Sequence, residues 1–165
     1  FAVAGVCDEG LLSERTVAEA LIFQSGRPVI IVPSDHEPDF SADRIVVAWD
    51  HSKVAARALS DALPLLRRAS QVTLVTFGDD KDFSSSLSQD ELLAALRRRG
   101  VEAEMQQISR GHRDIGEAIN SAALDIRAEL LVMGGFGHSR FRDFVLGGAT
   151  RSILTTPRLP TLISH

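Results

Sequence analysis

The residues with the clearest chemical potential lie between positions 130 and 150. The apolar run Leu130-Leu131-Val132-Met133 ends in Gly134-Gly135-Phe136-Gly137-His138-Ser139-Arg140, and a second glycine pair, Gly147-Gly148, begins ten residues past Gly137. Glycine lets a backbone approach a ligand closely and adopt positive φ. If Gly148, Ala149 and Thr150 open a helix, their unbonded N–H groups can form an anion site together with Gly134 and Gly137. Such a site would hold phosphate oxygens through backbone donors and needs no catalytic side chain. The same glycines would also serve a tight turn that binds nothing. No Gly-Lys-Ser or Gly-Lys-Thr closes the segment, so it is not a Walker A loop, and the spacing Gly-x-Gly-x-x-Gly of a dinucleotide fingerprint is missing.

Other reactive residue types are dispersed. His36, His51, His112, His138 and His165 are scattered, Cys7 has no partner nearby in sequence, and no nucleophile–base set stands out. Enzyme activity is therefore not expected beyond, at most, slow ATP hydrolysis. Asp79, Asp80 and Asp82 read as a solvated acidic loop, and no protein metal site is assigned.

The elements that must position the glycines are readable from hydrophobic runs. Five strands are expected at residues 45–49, 72–77, 101–108, 130–133 and 161–163. The run Ile45-Val46-Val47-Ala48-Trp49 does not alternate, as befits a strand buried on both faces of a parallel sheet. In the third strand Val101, Ala103 and Met105 alternate with Glu102 and Glu104, the pattern of a half-exposed edge. Between the strands, Val54, Ala58, Ala62 and Leu66 mark one helical face, with Ser52 as its cap and Pro64 inside it predicting a kink or a local loss of bonding. Ser88 with Glu91 resembles a capping box ahead of residues 92–99, stopped by Gly100, and Asp114 with Glu117 starts a helix through Ile115, Ile119, Ala122 and Ile126. Alternating strands and helices predict an open α/β sheet with helices on both faces.

The totals bound the remaining possibilities. A chain of 165 residues supports one substantial core, and 44% hydrophobic with 24% charged residues is an ordinary globular balance. The single cysteine excludes an internal disulfide framework and fits a reducing, cytoplasmic setting. No apolar run approaches transmembrane length and no secretory leader is recognisable, so no membrane role is expected. A net charge of −4 gives no general nucleic-acid surface.

A repeat sets the organisation. Leu21-Ile22 stands seven residues before Pro28, as Ile153-Leu154 stands seven before Pro160, and each proline is followed by an apolar run. Residues 1–33 are therefore read as a strand–helix–strand remnant of a preceding domain, 34–43 as a linker, and 44–165 as a complete domain. The start at Phe1, with 1–5 already strand-like, fits a chain that begins inside something larger. Residues 29–32 could pair with 161–163, within one chain or between two. The edge strand at 161–163 makes homodimer or tandem-domain pairing the expected assembly.

On these residues the chain resembles the universal stress proteins. ATP-binding members share Gly, two residues, Gly, nine residues, then Gly and Ser or Thr, and Gly134, Gly137 and Gly147 follow that spacing, with Gly148 in the Ser/Thr place. Val132-Met133-Gly134, Gly137-His138-Ser139-Arg140 and Ile45-Val46-Val47-Ala48-Trp49-Asp50-His51-Ser52 are also similar to the family, His51 replacing a glycine common after the Asp. The resemblance implies an open five-stranded parallel sheet of the adenine-nucleotide α-hydrolase-like type, order 3-2-1-4-5, here with an extra N-terminal edge strand. It implies ATP as ligand, with magnesium held through phosphate. Asp50 would face adenine and Phe77 would flank the base. Met133, Gly134, Gly137, Gly147, Gly148 and Ala149 would surround ribose and phosphates, with His138 and Arg140 facing phosphate. A regulatory nucleotide module is one expectation; an interaction or scaffold domain that has lost the ligand is the other, favoured by Gly148 and His51.

Overall fold

A computed structural model of the chain describes residues 1–6, 12–36, 39–77, 86–135 and 148–165. In chain order the elements are β1 (Ala2–Val6), α1 (Leu12–Gln24), β2 (Val29–Pro33), β3 (Arg44–Ala48), α2 (Lys53–Leu66), β4 (Gln71–Phe77), α3 (Ser86–Arg98), β5 (Glu104–Ile108), α4 (Ile115–Asp125), β6 (Leu130–Gly134), α5 (Gly148–Thr155) and β7 (Thr161–Ser164). They build one sheet in the order β1-β2-β7-β6-β3-β4-β5. Counted from β3, the last five strands run 3-2-1-4-5 and are mutually parallel, as expected.

The non-alternating runs are buried because both faces of the sheet are covered. On one face Val46, Leu131 and Ile163 pack with Ile119 of α4, Ile153 of α5 and Ile22 of α1. On the other, Ile45, Val47 and Val132 meet Ala58, Ala62 and Leu66 of α2. Ser52 caps α2 by accepting from Ala55 N at 3.1 Å, and Asp114 caps α4 by accepting from Gly116 N at 2.8 Å.

Several expectations need correction. The N-terminal segment adds two strands to the sheet, not one: β2 pairs antiparallel with β7 within the chain, and β1 pairs parallel with β2. The edge of β7 is thereby occupied, and β1 becomes the outer strand. Pro64 lies inside α2 as read, in its last turn, and its cost is a local loss of bonding: the carbonyl left without its donor belongs to exposed Ser60, where water can serve it. The third strand begins at Glu104 rather than at 101, because Val101 N–H donates to Leu96 O at 3.0 Å and closes α3 over Gly100, whose φ is +79°. Ser88 lies inside α3, which already begins at Ser86, and not at its cap.

The start of β3 and the residues ahead of it are pinned by Glu129, which immediately precedes the neighbouring strand β6. Glu129 Oε2 accepts from Ser41 Oγ, Asp43 N and Arg44 N at 3.0, 2.8 and 3.2 Å, while Oε1 pairs with Arg44 Nη2 at 2.6 Å. Desolvation alone would raise the Glu129 pKa, but these donors and the Arg44 charge outweigh it and hold the carboxyl below its usual value. A carboxyl lowered by folding stabilises above its unfolded pKa, about 4.3, and loses that contribution as pH falls through the folded value. Glu129→Gln should therefore lower the thermal midpoint at pH 7, within the roughly 1 kcal/mol typical of partly exposed pairs. The gap to wild type should close below about pH 4. Equal midpoints at pH 7 would show that the contact contributes nothing.

Candidate functional site

A cavity of about 350 Å³ opens at the carboxyl ends of β3 and β6, the place where open α/β sheets bind ligands. β3 runs out into Trp49 and Asp50 on one wall, with Phe77 from the end of β4 beside them. Met133 and Gly134 close β6 beneath it. Gly148, Ala149 and Thr150, the first turn of α5, form the opposite wall, with Ile115 and Ile119 of α4 behind. Asp50, Phe77, Met133, Gly134, Gly148 and Ala149 thus come together around one space. Gly137, His138, Arg140 and Gly147 lie outside the described residues, as do Asp79, Asp80 and Asp82.

Local chemistry explains each position. Asp50 Oδ1 accepts from Ser52 N at 2.9 Å, which turns the chain from β3 into α2 and leaves the carboxylate exposed at the cavity wall. Between them His51 sits at φ +60°, a left-handed conformation that glycine adopts without strain and histidine tolerates better than bulkier residues. That geometry gives the reason a glycine is favoured after the Asp. The His51 ring stands edge-on to Trp49, centroids 5.6 Å apart, and the buried Trp49 Nε1 has no hydrogen-bond partner among the described residues. A smaller cavity of about 40 Å³ shares Trp49, Asp50 and Phe77 and reaches Gln89 and Gln107.

Gly134 is required by close approach. A Cβ there would lie 2.6 Å from Ala55 N and from the carbonyl carbon of Val54, the backbone of the first turn of α2. Gly148 is different: a Cβ would meet only Asp114 Oδ2 at 3.8 Å and Ile115 Cγ2 at 4.0 Å, ordinary contacts. The first turn of α5 therefore lines the cavity with room for a small side chain at 148.

Arg110 also lines the cavity and escaped the sequence reading. It follows β5 by two residues, so its position past a strand's carboxyl end was the available signal, obscured because β5 is the remote edge of the sheet. With Asp50 it supplies the charge of the described lining: one acidic and one basic group. Among the described residues no cluster of three or more His, Cys, Asp and Glu could hold a metal ion, and no helix is long and apolar enough to cross a membrane.

Comparison with known proteins places this geometry in context. The sequence model of the universal stress protein family matches residues 41–165. A universal stress protein of Synechocystis sp. is 27% identical over 152 residues, covering 87% of this chain and 49% of the relative. The crystal structure of a universal stress protein from Archaeoglobus fulgidus is similar with TM-score 0.73 at 23% identity, over 90% of this chain and 55% of that one. The chain thus spans about half the length of both. The fold is also shared with a universal stress protein solved in complex with cAMP, TM-score 0.59 at 21% identity, over 76% of this chain and 98% of that one.

Proposed function

This chain belongs to the universal stress protein family, and from that premise we propose that it is a stress-response regulatory protein that binds an adenine nucleotide, ATP. The observation that carries the reading is the convergence of Asp50, Phe77, Met133, Gly134, Gly148 and Ala149 on one cavity. In this reading adenine lies between Asp50 and Phe77, whose carboxylate and ring offer an acceptor and a stacking face. The phosphates point to the first turn of α5, where unbonded N–H groups favour anions. Gly137, His138, Arg140 and Gly147 complete the phosphate side, and magnesium is held through phosphate oxygens. The cAMP complex of a relative supports an adenine-nucleotide ligand for this fold.

The same reading takes residues 1–33 as the closing part of a preceding copy, 34–43 as the linker and 44–165 as the nucleotide-binding domain. Its support is a local two-fold relation. Ile30 faces Leu162 at the centre of the β2–β7 ladder, and Ile30 and Leu162 are also equivalent positions of the Pro28 and Pro160 repeat. Gly5 and Gly134 are equivalent in the same sense, through their partners Val32 and Ser164. Because β2 already occupies the edge of β7, tandem pairing is proposed in place of a homodimer through that edge.

The alternative, a ligand-free interaction domain, draws on Gly148, where the family pattern has a hydroxyl. The two readings separate on Gly148→Ser. The space at 148 accepts the side chain, and one restored hydrogen bond of about 0.5–1.5 kcal/mol tightens magnesium–ATP roughly two- to tenfold. Calorimetric titration of both proteins measures it. Heat from neither protein at millimolar ATP would replace the nucleotide reading with the ligand-free one.

A further inference from the structure

Gly135, the residue that follows β6, is held from outside the cavity by residues that do not line it. Gly135 N–H donates to Ser164 O at 2.8 Å. Its carbonyl lies 3.2 Å from His165 Nδ1, and since a carbonyl only accepts, Nδ1 carries the proton in that contact. The imidazole stands edge-on to Phe23 of α1, ring centroids 5.0 Å apart at 73°. Ile22, next to Phe23 and 3% exposed, completes the seat. A Cβ on Gly135 would lie 3.7 Å from Ile22 Cγ2 and 2.8 Å from Ile163 Cγ2, so Gly135 has no room to settle deeper.

Gly134, one residue earlier, lines the cavity and abuts the first turn of α2. The end of β6 is therefore gripped on two sides: by α2, which belongs to the cavity wall, and by β7, His165 and α1, which do not. Gly134 lines the cavity while Gly135, its chain neighbour, does not, so a displacement of a few tenths of an ångström at Gly135 is passed to the wall at Gly134 and changes the close distances on which ligand contacts depend.

We propose that Phe23 and His165 are positioning residues for the ligand cavity, acting through Gly135, so that the β1–α1–β2 unit sets how tightly the neighbouring domain holds its ligand. The proposal rests on the nucleotide reading above and extends it. The unit is then more than a sheet extension: a change in its seating is transmitted to Gly135 through two contacts, Phe23 on His165 and His165 on the Gly135 carbonyl. An edge-on aromatic contact of ordinary strength corresponds to about a two- to tenfold change in binding.

The test compares Phe23→Ala and His165→Ala with the conservative Phe23→Tyr and His165→Asn, which keep a ring and an N–H donor. Three quantities are read on the full chain: the dissociation constant of magnesium–ATP, the melting temperature, and exchange of the Gly135 amide by NMR. The alanine variants should bind about two- to tenfold more weakly and exchange the Gly135 amide faster, with melting temperatures lowered by about 1–6 °C. The conservative variants should return both values toward wild type. Unchanged affinity with unchanged exchange, or losses that merely follow the melting temperature, would overturn the proposal. If the wild type binds no nucleotide, the reading of the previous section fails by itself. Amide exchange then still decides the brace: faster exchange in the alanine variants supports it, and unchanged exchange overturns it.

Discussion

Gly134→Val should destabilise the protein by about 3 kcal/mol or more, a large share of the roughly 5–15 kcal/mol that holds a domain of this kind together. The atoms its Cβ would meet at 2.6 Å are Ala55 N and Val54 C, which belong to backbone and cannot rotate away. Relief requires the first turn of α2 to lift from β6. That motion would loosen the Ser52 cap and draw Ala55, Ala58, Leu59, Ala62 and Leu66 away from the sheet. Gly5→Ala is the matched control, because Gly5 holds the equivalent place in β1 and a Cβ there meets nothing within 4 Å. It should be neutral or stabilise by up to about 0.5–1 kcal/mol through lost backbone freedom of the unfolded chain. Urea titrations of the two variants measure the contrast. A Gly134→Val midpoint close to wild type would mean that α2 is not seated against β6 as described.

Gly116→Ala carries the second large effect, and its sign is diagnostic. Alanine in an unhindered helix is favoured over glycine by about 0.8–1 kcal/mol, so a solitary α4 would gain stability. Here the added Cβ would fall 2.4 Å from Ser152 Cβ and 3.1 Å from Ala149 O, both on α5. Separating the helices displaces Gly148 and Ala149, which line the cavity. The expected result is a loss of about 2–3 kcal/mol together with weaker magnesium–ATP binding. Adding Ser152→Gly should recover part of both losses, with a coupling in the range of about 0.5–3 kcal/mol that a double-mutant cycle extracts from denaturation midpoints. A stabilised Gly116→Ala would show that α4 and α5 do not cross at this point.

These two glycines also mark where sequence reading stops. Buried strands such as 45–47 announce themselves because a strand covered on both faces has no polar residue to interrupt it. Ser52 and Asp114 are legible as caps because capping is a local bargain between one side chain and the next turn. The repeat around Pro28 and Pro160 is legible for the same local reason, since both copies keep the spacing of helix, proline and strand. What escapes is whatever depends on a partner remote in sequence. Gly116 looks like an indifferent residue in a helix until Ser152 is brought against it. Arg110 looks like a loop residue until the return of the chain into α4 sets it beside the cavity. β1, with Val3 67% exposed, reads as a strand, but nothing local says that it joins the same sheet outside β2. Around the cavity, the Gly134 end of β6 and the Gly148 start of α5 were legible as places where backbone approaches something. That Gly134 is approached by α2 itself, and not by a ligand alone, was not, because a glycine in sequence does not say which neighbour it makes room for.

The most direct test of nucleotide binding is to denature freshly purified protein and assay the supernatant for adenine nucleotide by liquid chromatography with mass detection. Near-stoichiometric ATP or ADP is the predicted result, and it should be lost when Gly137 is replaced by a bulky residue. Protein that releases no nucleotide, and binds none when millimolar ATP and magnesium are added back, would contradict it.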